Sequence, residues 1–211
     1  MKVHTIALDL AEPGASQQVF DQVTALGLEV DLLINNAGFA KHGAFTEVPF
    51  ETQRGQVMLN VTSLVELTHL FLPMIERKRG GIINVASTAA FQPVPYMAVY
   101  GATKAFVLSF SEALWGEYRD RGVKVLALCP GATDTPFFTR AGEAAALGAK
   151  ASAADVAELG LEALEANRAS VIHGLKNWLV ANSSRFTPRQ LVVSISRNLM
   201  KPKALLTARS H

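Results

Sequence analysis

The chain has 211 residues, a formal net charge of +2 and a single cysteine. With 49% hydrophobic and 18% charged residues, it has the composition of one domain with a large core, which excludes a disordered chain or a charged coiled coil. The small net charge gives no reason to expect nucleic-acid binding, no apolar run suggests a membrane span, and the lone Cys129 excludes an internal disulfide and favours the reducing cytoplasm.

Short apolar runs alternate with long helical patterns along the chain. Strands are predicted at residues 3–8, 31–35, 81–87, 123–129 and 169–173. Helices are predicted at about 16–26, 50–78, 97–121 and 153–167, with a last helix that begins at Pro188. This alternation predicts an α/β fold, with a doubly wound and mostly parallel sheet covered on both faces, as one domain over residues 1–211.

Tyr100 and Lys104 are the most informative pair of residues. They are four positions apart on a predicted helix, so they lie on one face, one turn from each other. A nearby ammonium stabilises the phenolate and is expected to lower the tyrosine pKa from about 10 by roughly 1–3 units. Ser87 ends a predicted strand and places a hydroxyl at the carboxyl edge of the sheet. Together these three side chains indicate proton transfer to or from a carbonyl or alcohol oxygen.

A segment of small and polar residues, Asn35-Asn36-Ala37-Gly38, follows the second predicted strand. Ligands of doubly wound sheets bind beyond the carboxyl ends of the strands, where small residues let the backbone approach a flat ring. An ordinary turn has the same composition. From this segment alone, a ligand site and a plain turn remain equally open.

These elements, with Asn60 and the run Pro130-Gly131-Ala132-Thr133-Asp134-Thr135, occur in the order and approximate spacing of the short-chain dehydrogenase/reductase family. The chain resembles that family over nearly its whole length. The resemblance implies a Rossmann-like domain that binds NAD(P). It also implies hydride transfer between the nicotinamide and a ketone or secondary alcohol, with a weak preference for reduction driven by NADPH.

The resemblance also implies catalytic roles. Tyr100 is the acid in carbonyl reduction and the base in alcohol oxidation, and Ser87 orients the substrate oxygen and stabilises its developing charge. Lys104 lowers the pKa of Tyr100 and holds the nicotinamide ribose hydroxyls. Asn60, at a helix distortion, holds a water in a proton relay to Lys104, the alternative being a solvent-facing asparagine. Tyr96 is on nearly the same helix face, but no lysine follows it four residues on.

Cofactor contacts are implied in four parts of the chain. The residues are Asp9, Leu10, Asn36, Ala37, Gly38, Tyr100, Lys104, Pro130, Gly131, Thr133 and Thr135. Asp9 and Leu10 would meet the adenine ring, unless Asp9 only begins a helix, and the two threonines would contact the nicotinamide carboxamide. Residues 130–152 are expected to form a loop over substrate and cofactor. A set of apolar residues forms either a substrate pocket or plain core: Phe91, Val94, Met97, Phe137, Phe138 and Trp178.

One feature of the family is missing from these residues. Family members begin with two strand–helix units, and a glycine-rich turn in the first holds the cofactor pyrophosphate. The sequence begins at what resembles the third strand, so we expect an N-terminally truncated domain without the first βαβα segment. Three explanations remain open: a longer native protein, direct pairing of residues 3–8 with 31–35 in a smaller sheet, or a partner chain that supplies the missing edge.

The same absence supports an alternative of another class, a catalytically silent interaction or assembly subunit that does not bind cofactor. The retained Ser87, Tyr100 and Lys104 favour the enzyme. The expected partners are an apolar carbonyl or alcohol substrate and further copies of the chain, in a homodimer or homotetramer built on the two long helices. We expect no metal, because the five histidines show no metal-ligand spacing with cysteine or carboxylates.

Overall fold

A parallel four-stranded sheet forms the centre of the computed structural model, which describes residues 2–142, 145 and 148–202. The strands are β1 (Leu32–Asn35), β2 (Gly81–Val85), β3 (Lys124–Cys129) and β4 (Ser170–Ile172), and they lie in the sheet in this order. Each neighbouring pair is parallel. The predicted α/β fold with a parallel sheet is confirmed.

Helices connect the strands and cover both faces of the sheet. They are α1 (Ala15–Ala25), α2 (Phe50–Val57), α3 (Ser63–Lys78), α4 (Ala98–Tyr118), α5 (Phe137–Ala141), α6 (Ala153–Glu165), α7 (Leu175–Ser183) and α8 (Arg189–Met200). The predicted helix 50–78 is therefore two α-helices, joined by a π-helical turn at Met58–Thr62. Pro73 lies inside α3 without ending it.

The two faces of the sheet bury separate apolar clusters. On one face, α3 residues Phe71 and Ile75 pack with Ile82 and Val125 of the sheet, and α1 and α4 complete that layer. On the other face, α6 packs against Leu126 and its neighbours. Successive strand residues point to opposite faces, so the apolar runs of β2 and β3 supply both clusters.

The turn between α3 and β2 explains why two glycines stand there. A Cβ atom added to Gly80 would lie 1.9 Å from the carbonyl oxygen of Asp31, which no side chain tolerates. The backbone N–H of Gly81 donates to that same oxygen at 2.8 Å. This close approach fixes the level at which β1 and β2 begin to pair.

The predicted strand at residues 3–8 is wrong. These residues belong to no strand or helix, and Val3 and Leu8 are exposed. A strand needs a partner for its backbone hydrogen bonds, and no described residue pairs with this segment or with the outer edge of β1. The smaller sheet in which residues 3–8 pair directly with 31–35 is therefore not formed, and Ile34 of β1 remains half-exposed.

An apolar cavity of about 270 Å³ lies beside β1. Its walls come from α1, β1 and α3, and include Val19, Leu33 and Phe71. Leu10 and the Asn35–Ala37 segment line the same cavity, so the N-terminal turn and the segment after β1 are close in space.

The helical region Phe50–Lys78 is long and apolar enough to cross a membrane by length and composition alone. Leu67, Phe71 and Ile75 of this region are buried against the sheet. A core helix passes the same test, so this region is weak evidence for a membrane span.

Candidate active site

Tyr100, Lys104 and Ser87 converge at the carboxyl end of β2. Tyr100 and Lys104 lie one turn apart on α4, and the Lys104 ammonium nitrogen Nζ donates to the carbonyl oxygen of Val85 at 2.6 Å. Ser87 follows β2 and is near enough to Tyr100 for its side chain to lower the pKa of the phenol. The Ser87 hydroxyl also accepts the N–H of Ala89 at 3.1 Å, which holds the start of a short 3₁₀ turn.

Burial controls the protonation of Tyr100. The side chain is 9% exposed, and burial raises the pKa of Tyr100 to about 12, opposed by the nearby Ser87 side chain. The net shift is upward, opposite to the lowering that the sequence predicts from Lys104. The Lys104 nitrogen Nζ lies 5.9 Å from the centre of the Tyr100 ring. At neutral pH the phenol therefore keeps its proton.

Lys104 is a buried amine held by the sheet. Burial lowers the pKa of Lys104 to about 8, because an ammonium loses its hydration inside the protein. Its bond to Val85 fixes the position of the amine at the strand end. A buried lysine with few partners is unusual in a protein core, and this placement is typical of a functional site.

Asn60 lies in the π-helical turn and is 1% exposed, which excludes the solvent-facing alternative. Its side chain bonds both backbone groups of Phe39: Oδ1 accepts the N–H at 3.1 Å, and Nδ2 donates to the carbonyl oxygen at 3.0 Å. Nδ2 also donates to Thr103 Oγ1 at 3.1 Å. Asn60 thus joins the segment after β1 to α4.

Gly38 is pressed between these groups. A Cβ atom on Gly38 would lie 3.1 Å from Asn60 Oδ1 and 3.6 Å from Lys104 Nζ. A side chain at this position would crowd Asn60 and fill the space beside Lys104, which glycine leaves open. Asn36 and Ala37, which precede it, are exposed and line the cavity beside β1.

The segment after β3 reaches the same end of the sheet. The Pro130 carbonyl oxygen accepts the N–H of Thr88 at 2.9 Å, which ties this segment to the turn after Ser87. A Cβ atom on Gly131 would lie 2.5 Å from Asn177 Nδ2 of α7, so a larger residue here would have to displace the Asn177 side chain.

The threonines of this segment bond locally. Thr133 Oγ1 donates to the carbonyl oxygen of Gly131, and Thr135 Oγ1 accepts the N–H of Phe137. Thr133 also forms a bridge with Ala151, so the two ends of the expected loop 130–152 meet. Residues 143, 144, 146 and 147 of that loop lie outside the described residues.

Asp9 and Leu10 form part of a turn before α1. The Asp9 carboxylate is exposed and accepts the N–H of Ala11 at 2.9 Å in this turn, whereas the N-cap residue of α1 is Gly14. Leu10 is half-buried beside the cavity that Asn36 and Ala37 also line. No described contact joins Asp9 to Tyr100 or Lys104.

Part of the expected apolar pocket surrounds Tyr100. Met97, Val94 and Phe137 belong to its cluster, with Phe137 5.6 Å from Tyr100 between ring centres. Phe91 packs in a different cluster, Phe138 is buried, and Trp178 is 49% exposed on α7.

Tyr96 stands beside this cluster in a left-handed backbone conformation, with φ of 65°. Its carbonyl oxygen accepts the N–H of Gly43 at 2.9 Å. This bond ties the backbone before α4 to the loop at Gly43.

Sequence reasoning missed a buried polar network behind the site. Asn35 Nδ2 donates to Asn84 Oδ1 at 2.8 Å and to Thr68 Oγ1 at 3.1 Å, while Asn84 Nδ2 donates to Ser111 Oγ at 3.0 Å. The network joins β1, β2, α3 and α4. Asn84 within the run Ile82-Ile83-Asn84-Val85 was the available signal, since a polar residue inside an apolar strand needs partners.

The described residues near the sheet end suit the ribose and nicotinamide part of a dinucleotide. They offer a buried amine, a glycine cradle at Gly38 and a hydroxyl at Ser87. Among the residues that the structure describes, no group of three or more His, Cys, Asp or Glu side chains is arranged to hold a metal ion.

Comparison with known proteins gives a consistent result. The sequence model described as short chain dehydrogenase matches residues 1–146. The chain is 37% identical over 137 residues to a very-long-chain 3-oxoacyl-CoA reductase from Homo sapiens, a match that covers 62% of this chain and 43% of that protein. Curated relatives are matched over only 37% to 54% of their own lengths.

Solved structures agree with the sequence comparison. A short-chain dehydrogenase from Sphingobium yanoikuyae in complex with NADPH aligns with a TM-score of 0.71 at 30% identity, over 84% of this chain and 71% of that one. A 3-ketoacyl-(acyl-carrier-protein) reductase from Brucella melitensis complexed with NADH aligns with a TM-score of 0.68 at 28% identity, over 80% and 76% of the two chains.

Proposed function

The chain belongs to the short-chain dehydrogenase family, and from this premise we propose that it is an NAD(P)-dependent oxidoreductase acting on a ketone or secondary alcohol. The observation that carries the proposal is the convergence of Ser87, Tyr100 and Lys104 at one strand end. A silent subunit has no need to keep a phenol, a hydroxyl and a buried amine together. The oxidoreductase names of similar proteins favour the enzyme as well.

The reaction needs a proton at the carbonyl oxygen, which Tyr100 supplies. Bound nicotinamide cofactor would supply the hydride for reduction or accept it in oxidation. The Ser87 hydroxyl hydrogen-bonds the substrate oxygen and stabilises its negative charge as the carbonyl is reduced. Tyr100 then donates its phenolic proton to that oxygen, which completes the alcohol. The positive charge of Lys104 favours the phenolate that remains.

Reduction is the proposed direction, because Tyr100 is protonated at neutral pH. A pKa of about 12 leaves the phenol ready to donate, whereas oxidation would first require its deprotonation. We further propose a weak preference for NADPH over NADH. One aligned structure contains NADPH and another NADH, so the proposal rests on the reductive direction rather than on the alignments.

Gly38 and Lys104 are proposed to contact the nicotinamide ribose. The neighbouring parts of the cofactor are proposed to be contacted by Asn36, Ala37, Pro130, Gly131, Thr133 and Thr135. In this proposal Asn60 positions Gly38 through its two bonds to Phe39, in addition to its role in a water relay to Lys104. Asp9 and Leu10 are proposed to meet the adenine, supported by the cavity that Leu10 shares with Asn36.

An apolar substrate is proposed because Val94, Met97 and Phe137 surround Tyr100.

A homodimer or homotetramer is proposed because α4 exposes a row of small residues beside Phe106, which stacks on Phe110 at 5.7 Å. The cytoplasm is the proposed location, since Cys129 is a buried free thiol.

Titration with NADPH and NADH separates the enzyme from the silent subunit. The 211 residues contain no glycine-rich turn of the family type, so the pyrophosphate lacks two or three charge-assisted hydrogen bonds of about 1.5–3 kcal/mol each. We expect weak, saturable binding that Lys104→Met abolishes and Lys176→Met leaves unchanged. An N-terminally extended chain that carries such a turn should bind about 10³-fold more tightly.

The titration, followed by calorimetry, has two outcomes that would contradict these expectations. No saturable binding by either chain supports the silent subunit. Equal, micromolar affinity of both chains shows that the missing turn does not matter for binding.

A further inference from the structure

Charge is divided unevenly along the chain. Residues 166–211 contain eight of the 20 lysines and arginines and none of the 18 acidic residues, so this segment has a formal charge of +8. The remaining 12 basic residues are outnumbered by all 18 acidic ones, so residues 1–165 have a charge of −6. The small net charge of +2 is therefore the sum of an acidic part and a strongly basic C-terminal part.

The same segment exposes large apolar side chains. Phe186, in the turn between α7 and α8, is 89% exposed, and Leu175 at the start of α7 is 74% exposed. The exposed apolar residues of this part are Leu175, Trp178, Leu179, Val180, Phe186, Leu191, Ile195 and Leu199. Eight such side chains within 25 residues are more than the scattered single ones of an ordinary surface.

Helix α8 has an apolar stripe that faces solvent instead of the protein core. Leu191, Ile195 and Leu199 are four residues apart, so they form one stripe, and this stripe is exposed. The adjoining side holds the buried Ser196 and Met200, and Met200 packs in the same cluster as Tyr100. The helix is therefore held to the body by one side and presents an apolar stripe on the other.

Basic residues accompany the exposed apolar ones. They are Lys176, Arg185, Arg189, Arg197 and Lys201, and none of the five forms an ion pair within the described ranges. We define residues 174–202 as the C-terminal surface. Helices with leucine and aromatic side chains among lysines and arginines bind at the interface of bilayers that contain anionic lipids.

We propose that the C-terminal surface docks on an anionic phospholipid membrane, with α7 and α8 in the headgroup region. The apolar side chains enter the outer part of the acyl layer, and the basic ones contact lipid phosphates. No helix crosses the bilayer in this arrangement. The proposal stands apart from the proposed function, since it depends neither on cofactor nor on turnover.

Charge argues against a second copy as the occupant. A symmetric contact would bring the same patch of both chains together and oppose two strongly positive segments. A contact between this segment and the acidic remainder of another copy is heterologous, so it needs a ring or an open chain of subunits rather than a simple two-fold dimer. A lipid surface satisfies both the positive charge and the apolar stripe.

The test is sedimentation of the full chain with vesicles. One set is pure phosphatidylcholine, and the other contains roughly one third phosphatidylglycerol. We expect binding to the anionic vesicles that falls steeply with added salt, and little binding to the neutral ones. In a Trp115→Phe background, Trp178 is the remaining tryptophan, and its emission should shift to shorter wavelength on the anionic vesicles.

Two triple variants separate charge from apolar contact. Arg189→Gln/Arg197→Gln/Lys201→Gln should weaken binding about 100-fold. Leu191→Ser/Ile195→Ser/Leu199→Ser should weaken it to a similar degree, because it removes the inserted stripe. Matched controls take exposed residues elsewhere: Lys2→Gln/Arg54→Gln/Arg77→Gln and Val3→Ser/Leu26→Ser/Phe50→Ser.

Loss of binding in both test variants, with binding retained in the controls, supports the membrane surface. Equal binding to neutral and anionic vesicles, or full binding by either test variant, overturns it. Sedimentation velocity adds an independent outcome. If the serine variant turns an oligomer into a monomer and the parent does not bind vesicles, a second copy covers this surface and the proposal is wrong.

Discussion

At the scale of single residues, Lys104 couples stability to pH. Its pKa is about 8 in the folded protein and 10.5 in its ordinary state, so between pH 8 and pH 10.5 the unfolded chain keeps a proton that the folded chain has lost. The ionisation of Lys104 therefore makes the free energy of unfolding rise with pH in this range. Burial raises the pKa of Cys129 from 9.0 and of Tyr100 from 10.0, each to about 12, so these two groups lower stability above pH 9 and pH 10.

We therefore expect the free energy of unfolding to rise by about 1 kcal/mol between pH 8 and pH 9, at 1.36 kcal/mol per pH unit. Lys104→Met should remove this rise, and Lys176→Met on the exposed face of α7 should keep it. Urea unfolding across this pH range measures the effect. A parent curve that is flat or falling from pH 8 to pH 9 would show that Lys104 keeps its ordinary pKa.

Asn84 makes a second residue-scale prediction. It is fully buried, accepts from Asn35 and donates to Ser111, so its removal leaves polar groups without partners inside the sheet. Asn84→Ala should lower the free energy of unfolding by about 2 kcal/mol. Asn198→Ala, an exposed change of the same type, should stay within about 0.5 kcal/mol of the parent. Similar denaturation midpoints for the two variants would contradict the structural role of this network.

Residue chemistry was predictable where spacing determined geometry. Tyr100 and Lys104 share a helix face because they are four residues apart, and Ser87 follows a strand that ends at the same edge. The pKa of Tyr100 was not predictable in this way. It depends on burial by Met97, Phe137 and other distant residues, which a local pattern does not contain.

At the scale of elements, α4 carries the prediction of assembly. Its exposed face has small side chains at Ala102, Ala105, Ser109 and Ala113, which allow another helix to approach closely. We expect the parent to sediment as a dimer or tetramer at micromolar concentration, and Ala105→Arg to sediment as a monomer because it places a charge in that contact. Ala157→Arg on the exposed side of α6 is the control. A monomeric parent would contradict the proposal.

Helices and strands were predicted well where apolar residues recur at a regular spacing. They were predicted poorly where a strand depends on hydrogen bonds to a neighbouring strand. The four strands of the sheet and the long helices lie within a few residues of their predicted positions. Residues 3–8 have a strand-like sequence but no strand, because strand formation depends on a neighbour that a local pattern does not specify. The π-helical turn at Asn60 was anticipated only as a distortion, through the family resemblance.

At the scale of the whole molecule, two surfaces expose groups that a protein core usually buries or pairs. The outer edge of β1 is unpaired within the described residues and exposes Ile34, while the C-terminal surface exposes a basic and apolar face. The bond between Lys104 and Val85 joins α4 to the central strand β2. The site is thus held by the central strands and α4, and its chemistry is open to test directly.

The most direct test is turnover of ketones by the 211-residue chain at millimolar NADPH, with Tyr100→Phe compared with Tyr96→Phe. The first substitution removes the proton donor while the ring remains, so the rate should fall about 10²–10⁴-fold. The second removes a hydroxyl from the neighbouring tyrosine and should leave the rate within about threefold of the parent. A Tyr100→Phe rate within about threefold of the parent would contradict the assignment of Tyr100 as the acid.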